Sequence, residues 1–238
     1  MITEQYLQCL KELESNPNIE FVDFQTTKEL ANFSEEMLRF NQEDILEMGE
    51  VKLSDDDMEY FKFASISISW KSLLGKPGII LKGGFVFNGI TDAMLFPTDY
   101  FDNAKNINPN EDHSEKLRWF DRLPIGVDDS MRGCFITEAG DFPPPIAFCN
   151  AGADWYIKLE FDYYNYMELL FQNYGFKGWQ YFYMDIVKEI PNLDEVLDDM
   201  RVAVKTLPLL FPDKDWSYHQ QRYDEVVEKM KKSGAKRS

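Results

Sequence analysis

Histidine is nearly absent: the 238 residues hold two, His113 and His219. A nucleophile–base pair or a histidine-rich metal site could draw only on these, and neither is followed by a familiar catalytic pattern. Cysteine is scarce as well. Cys9, Cys134 and Cys149 are odd in number, widely spaced and without Cys-x-x-Cys spacing. That excludes a disulfide framework and reads as reduced thiols in a cytosol. No stretch approaches the roughly 20 apolar residues of a transmembrane helix. The opening Met-Ile-Thr-Glu-Gln-Tyr has no basic segment leading into an apolar one, so a cytoplasmic chain without a membrane partner is expected. Positive charge is also short, with 25 basic residues against 42 acidic ones and a formal charge of -17. Direct binding to nucleic acid, which draws on a cationic surface and counterion release, is disfavoured. Attraction to a basic partner is compatible with it.

What is present is apolar and aromatic: 44% hydrophobic residues and 15% aromatics, with 19 Phe, 12 Tyr and 5 Trp. A chain of this length and content builds a core without staples. Aromatics in this number are expected to line part of the surface too. Over 116–161, short apolar runs alternate with turn formers, the pattern of a compact sheet rather than of a βαβ unit. Strands are expected near 119–124, 133–137, 145–149 and 154–159, with turns at 128–132 and 139–144. Upstream, Ile66-Ser67-Ile68-Ser69-Trp70 alternates with period two, placing Ile66, Ile68 and Trp70 on one face. Gly83-Gly84 marks a bulge or a close backbone approach.

Helices are expected over 3–14, capped by Thr3, and from Thr26 or Thr27 to about Phe40, burying Leu30, Phe33, Met37, Leu38 and Phe40. A short one follows Ser54, whose three aspartates favour the positive end of the helix dipole. Asp162 or Asn165 starts the next, and Gly175 stops it. Asn192 with Glu195 starts another, with Val196, Leu197, Met200, Val204 and Leu207 on its apolar face; Pro208 and Pro212 then bound Leu209-Leu210-Phe211, and Asp215 caps the last helix. Residues 88–115 read as a polar insertion or long surface loop. No linker is evident, and 188–238 reads as a helical extension packed on a domain spanning 1–187.

The chemical motifs are thin. Gly75-x-x-Gly78 lacks the Gly-Lys-Ser/Thr of a phosphate loop. His113 lies among Glu111, Asp112 and Glu115, a surface pattern more than a metal site. Asp213-Lys214-Asp215 lacks the other ligands of a calcium loop. Asp128-Asp129 resembles an acid/base or magnesium pair, but adjacent strand residues point to opposite faces. No cofactor is implied.

The order of elements resembles the SUKH superfamily, which includes fungal cell-wall assembly regulators and many bacterial toxin-immunity proteins. The resemblance rests on Leu53–Phe63, the Ile66–Trp70 strand, Gly83-Gly84-Phe85, Leu123-Pro124-Ile125-Gly126 with Asp128 or Asp129, Gly133 and Phe135, Pro145-Ile146-Ala147-Phe148, and the helix of 161–170. It spans about residues 20–183; Ala64-Ser65 stands where the family has Asn-Gly. It implies an α+β single domain with a twisted, mostly antiparallel central sheet and flanking helices. It also implies a non-enzymatic immunity protein that neutralises a polymorphic toxin, such as a nuclease with a basic surface. An intracellular adaptor and a hydrolase are the alternatives. Asp128, Asp129 and Asp141 are the expected partner-binding acids, with Trp155 and Tyr156 as aromatic anchors; alternation puts these two on opposite faces, exposing one of them.

Overall fold

The computed structural model describes residues 1–22, 26–74, 80–95, 105–107, 116–128, 130–186 and 190–234. Asp129 and His113 lie outside them. The architecture is α+β: a mostly antiparallel sheet flanked by helices. The strands in chain order are β1 (Ile19–Phe21), β2 (Val51–Lys52), β3 (Ser67–Ser72), β4 (Lys82–Phe87), β5 (Lys105–Asn106), β6 (Leu117–Arg122), β7 (Met131–Ile136), β8 (Gly140–Asp141), β9 (Ile146–Asn150) and β10 (Trp155–Lys158). Eight of them form one sheet in the order β1-β3-β4-β6-β7-β9-β10-β5, and β2 pairs with β8 apart from it. Every pairing in the large sheet is antiparallel except β10 with β5.

Alternation along the central strands divides the core in two. Met131, Phe135, Ile146, Phe148, Trp155 and Ile157 join the main cluster. Leu117, Cys134, Ile136, Ala147, Cys149 and Tyr156 form a second cluster on the opposite face. The main face is covered by α1 (Ile2–Ser15), α4 (Tyr163–Gln172) and α5 (Leu193–Leu210), through Tyr6, Phe171, Met200 and Leu207 among others. α5 and Val226 of α6 (Ser217–Gly234) share this cluster with the rest of the chain, so the C-terminal helices are part of one core.

Local chemistry explains several boundaries. Ser54 donates through its backbone N–H and its hydroxyl to the Asp57 carboxylate, at 2.6 and 2.8 Å, at the head of a 3-10 helix over Asp55–Phe63. The Tyr164 hydroxyl bonds the same carboxylate, a second anchor that keeps Asp57 buried. Asp162 accepts from the Asn165 N–H at 2.9 Å and so caps α4. The left-handed Tyr174, with φ +55, rather than the expected Gly175 is the first residue to break it, its N–H bonding Phe171 O at 3.2 Å and that of Gly175 bonding Leu170 O at 3.0 Å.

Five expectations are corrected. α1 starts at Ile2 behind Met1, so Thr3 lies inside the helix. The second helix, α2 (Glu35–Gly49), is capped by Ser34 instead of Thr26 or Thr27, with Ser34 accepting from Met37 N–H at 3.2 Å. Thr27 instead bridges to Ser67, extending the β1 edge. Because α2 turns only Ile45 fully inward, Met37 and Phe40 are exposed rather than buried. The expected 88–115 loop opens with a buried helix, α3 (Ile90–Leu95), whose Ile90, Ala93 and Met94 recur at helical spacing. α5 continues through Pro208 to Leu210 instead of stopping before it.

The glycine pair is a close approach. A Cβ on Gly83 would lie 2.5 Å from the Trp70 ring, and one on Gly84, with φ +146, 2.0 Å from Ile68 O. Trp70 cannot retreat easily, since its Nε1 donates to Tyr174 O at 2.8 Å in the core. Gly83→Ala is therefore expected to destabilise the fold by about 1–3 kcal/mol, the usual cost of overpacking. Urea denaturation monitored by Trp fluorescence checks it; a midpoint equal to that of the wild type would refute the close-packing account.

Candidate functional site

The antiparallel pairing of β4 explains where the chain concentrates charge. Its Val86 and Phe87 pair with β6, while Lys82 and Gly84 bond to Lys177 and Gly175 beyond the end of α4: Lys177 N–H to Lys82 O at 2.8 Å and Gly84 N–H to Gly175 O at 2.9 Å. The 175–177 segment thus fills in beside β6 and carries Lys177 to the end of the sheet. There its Nζ lies 3.2 Å from carboxylate oxygens of Asp128, Glu195 and Asp199. Asp128 comes from the turn after β6, and Glu195 and Asp199 from the first turns of α5. A groove of about 500 Å³ runs over this cluster, and Ile80, Lys82, Val127, Asp194, Asp198 and Arg201 also line it.

Three carboxylates share one ammonium. Burial pulls the Lys177 amine down, but Asp199, Asp128 and Glu195 outweigh it and raise it to about 12. Asp199 shows the reverse balance. Burial pushes its carboxyl up to about 6 against the pull of Lys177, with Glu195 and Asp128 adding repulsion. The lysine gains from all three acids, whereas the most enclosed acid has only a share of the lysine. The groove lining sets four acids, Asp194, Glu195, Asp198 and Asp199, against Lys82, Lys177 and Arg201, with Asp198 held by Arg201 at 3.0 Å, a modest acidic excess.

The residues expected to bind a partner fall in different places. Asp128 is only partly exposed and is pinned at both ends: Oδ1 accepts from Ser130 N–H at 3.1 Å and its hydroxyl at 2.5 Å, while Oδ2 meets Lys177. Asp141 is exposed, on β8 beside Lys52 of β2. Trp155 and Tyr156 do point to opposite faces, but both faces are covered. Trp155 packs against Phe148 and donates from Nε1 to Asn192 Oδ1 at 2.9 Å; Tyr156 is fully buried in the second cluster. Neither aromatic is a surface anchor, because the alternation rule exposes a residue only where one sheet face meets water. Lys177 went unread in the sequence, although a single cation in Phe176-Lys177-Gly178-Trp179 is itself a signal that acids must come to it.

Two buried clusters have acid–base character. The carboxyl of Asp121 is pushed up to about 7 by burial; Tyr166 donates its hydroxyl to Oδ2 at 2.8 Å, and Gln180 donates to the Tyr166 oxygen at 3.0 Å. The backbone N–H groups of Arg122 and Val86 pull against the burial, and Oδ1 is left without a hydrogen-bond partner. All three side chains are buried. His219 is buried as well, with Nε2 2.7 Å from Asn173 Oδ1. Asn173 uses its amide nitrogen to donate to Leu169 O and the Tyr183 hydroxyl, so the His219 proton is assigned to Nε2. Burial lowers this imidazole to about 4. The free thiols are buried too, and burial raises those of Cys9 and Cys134. Among the described residues, no group of three or more His, Cys, Asp and Glu is placed to hold a metal ion, and no helix is long and apolar enough to cross a membrane.

The Asp121 shift has a signed consequence. The folded carboxyl keeps its proton up to about pH 7, while the ordinary value is 3.8. Between those values the folded state binds more protons, so this contribution to stability is full below pH 3.8 and is lost as pH rises through 7. Asp199 acts in the same direction up to about 6. Asp121→Asn is expected to flatten the fall in unfolding free energy between about pH 4 and 7, whatever its effect on absolute stability. Chemical denaturation across that range checks it, and an unchanged slope would count against a protonated Asp121.

Comparison with family models, with curated proteins and with solved structures returns no match.

Proposed function

We propose that this chain is a non-enzymatic immunity protein that binds and neutralises a cognate toxin with a basic surface, such as a nuclease. The observation that carries the reading is the groove over Lys177, where three carboxylates contact one lysine and Asp194 and Asp198 extend the acidic wall. An arginine or lysine from a partner entering there gains the attraction that Lys177 leaves unused. The formal charge of -17 extends the same preference over the molecule and speeds encounter with a basic protein. The site of a nuclease must attract a polyanion, so an acidic protein is steered toward the surface it has to cover. The SUKH-like order of elements supports the same role, since toxin neutralisation is what that resemblance implies, and the α+β architecture agrees with its fold class.

The raised acids in the core are enclosed and serve packing in this reading, leaving the surface carboxylates for recognition. Asp128 holds the groove together rather than meeting the partner directly; the exposed Asp194 and Asp141 are open to do so, and Asp198 does so while sharing its charge with Arg201 at 3.0 Å. The test is to capture the partner from the native organism and assay the toxin encoded beside the gene, with and without this protein. Stoichiometric inhibition is expected, and a signalling or cytoskeletal partner with no effect on the toxin would replace this reading by that of an adaptor. In the inhibited pair, Asp141→Asn/Asp194→Asn/Asp198→Asn is expected to slow association at least about tenfold at low salt, with the difference shrinking near 1 M salt. Stopped-flow kinetics measures this, and an unchanged association rate would remove the acidic wall from the interface.

A further inference from the structure

The outer side of α2 combines two features that a helix packed only for stability does not need. Met37, Phe40 and Met48 are 52%, 62% and 64% exposed. With Asp44 between them they recur three, four and four residues apart, which places them along one stripe at 3.6 residues per turn. Ile45 is the one fully buried residue of the helix, and it faces the core from a different side. The stripe is therefore an additional apolar face. Glu36, Glu43 and Glu47 border it along one side and Asp44 lies within it; with Glu35 the helix carries five acids against the single Arg39. Among the described residues none of these five acids takes part in an ion pair.

The charges decide what covers this face. A second copy of the chain would set two acidic helices against one another, in a protein whose formal charge is already -17, and like charges across an interface are strongly disfavoured. An anionic membrane is repelled for the same reason. A protein segment with an apolar ridge bordered by lysine or arginine meets both features at once. We infer that α2 is a docking surface for a cationic amphipathic segment of a partner protein, with Met37, Phe40 and Met48 as the apolar anchors and the flanking acids as the rim. Two unbranched methionine side chains adapt to the shape of what they meet, and Phe40 supplies the larger rigid contact. The C-terminal end of α2 leads into β2, where Glu50 O accepts from Gly140 N–H at 3.0 Å. This surface goes beyond the neutralisation reading, because it takes such a segment whether or not the partner is a toxin.

The test uses the full chain and a labelled amphipathic Leu/Lys peptide of about 18 residues, long enough to form a helix. Fluorescence anisotropy is expected to show saturable binding, with hydrogen-exchange protection over residues 35–49. Met37→Ser/Phe40→Ser/Met48→Ser is expected to weaken binding at least tenfold without lowering the melting temperature, since all three side chains are exposed. A scrambled peptide of the same charge is expected to bind at least tenfold more weakly. Wild-type affinity in the triple variant, equal binding of the scrambled peptide, or preference for a Leu/Glu peptide or for phosphatidylcholine/phosphatidylglycerol vesicles would each overturn the proposal. A triple variant that loses the peptide yet still inhibits a toxin would separate this surface from the neutralising one.

Discussion

The contact between Trp70 and Gly83 holds together what the rest of the molecule is built on. The indole occupies the space that any side chain at position 83 would take, and its Nε1 reaches across to Tyr174 O. That bond fixes the end of α4. The turn that follows then runs back along β4 through Gly84 to Gly175 and Lys177 to Lys82. Without the bare backbone of the two glycines, the 174–177 segment could not come this close to the sheet. Lys177 would then not meet its acids, and the aromatic 3-10 helix over Trp179–Phe182 would lose its placement. One buried hydrogen bond and two missing side chains thus link the sheet to the C-terminal helices and to the charged groove.

Much of the sheet was legible because period-two runs and turn residues report strands directly. The segments β6, β7, β9 and β10 lie within about two residues of their expected places, and Ile66, Ile68 and Trp70 share the main cluster. Helix caps read well where a side chain had a clear task, as at Asp162. They misled where two candidates competed. Thr27 precedes a plausible helix, but its backbone is used to lengthen a sheet edge, and Ser34 with two glutamates behind it is the better start. Pro208 was read as a boundary, yet the helix carries it through to Leu210, a tertiary outcome that local preference does not contain.

The candidate site was less legible, for a different reason. Asp128 was visible as an acid in a turn, but its partner is 49 residues away and its function there is to hold Ser130 and Lys177. Trp155 and Tyr156 were read through alternation, which gives direction but not coverage. Whether a sheet face is wet depends on what the rest of the chain lays over it. Asp121 looks in sequence like any strand acid; only its enclosure with Tyr166 and Gln180 makes it a proton holder near neutrality.

The two-sided burial of the central strands also bears on how such a protein can change. All six residues of β7 and all five of β9 are buried, so a substitution there disturbs packing on one side or the other. Partner preference cannot drift along the sheet without loss of stability. The exposed acids and methionines of α2, and the exposed Asp194 at the start of α5, carry no such burden. Those positions can be rewritten one residue at a time over an unchanged interior. The fold therefore separates the residues free to diversify from those that keep it folded.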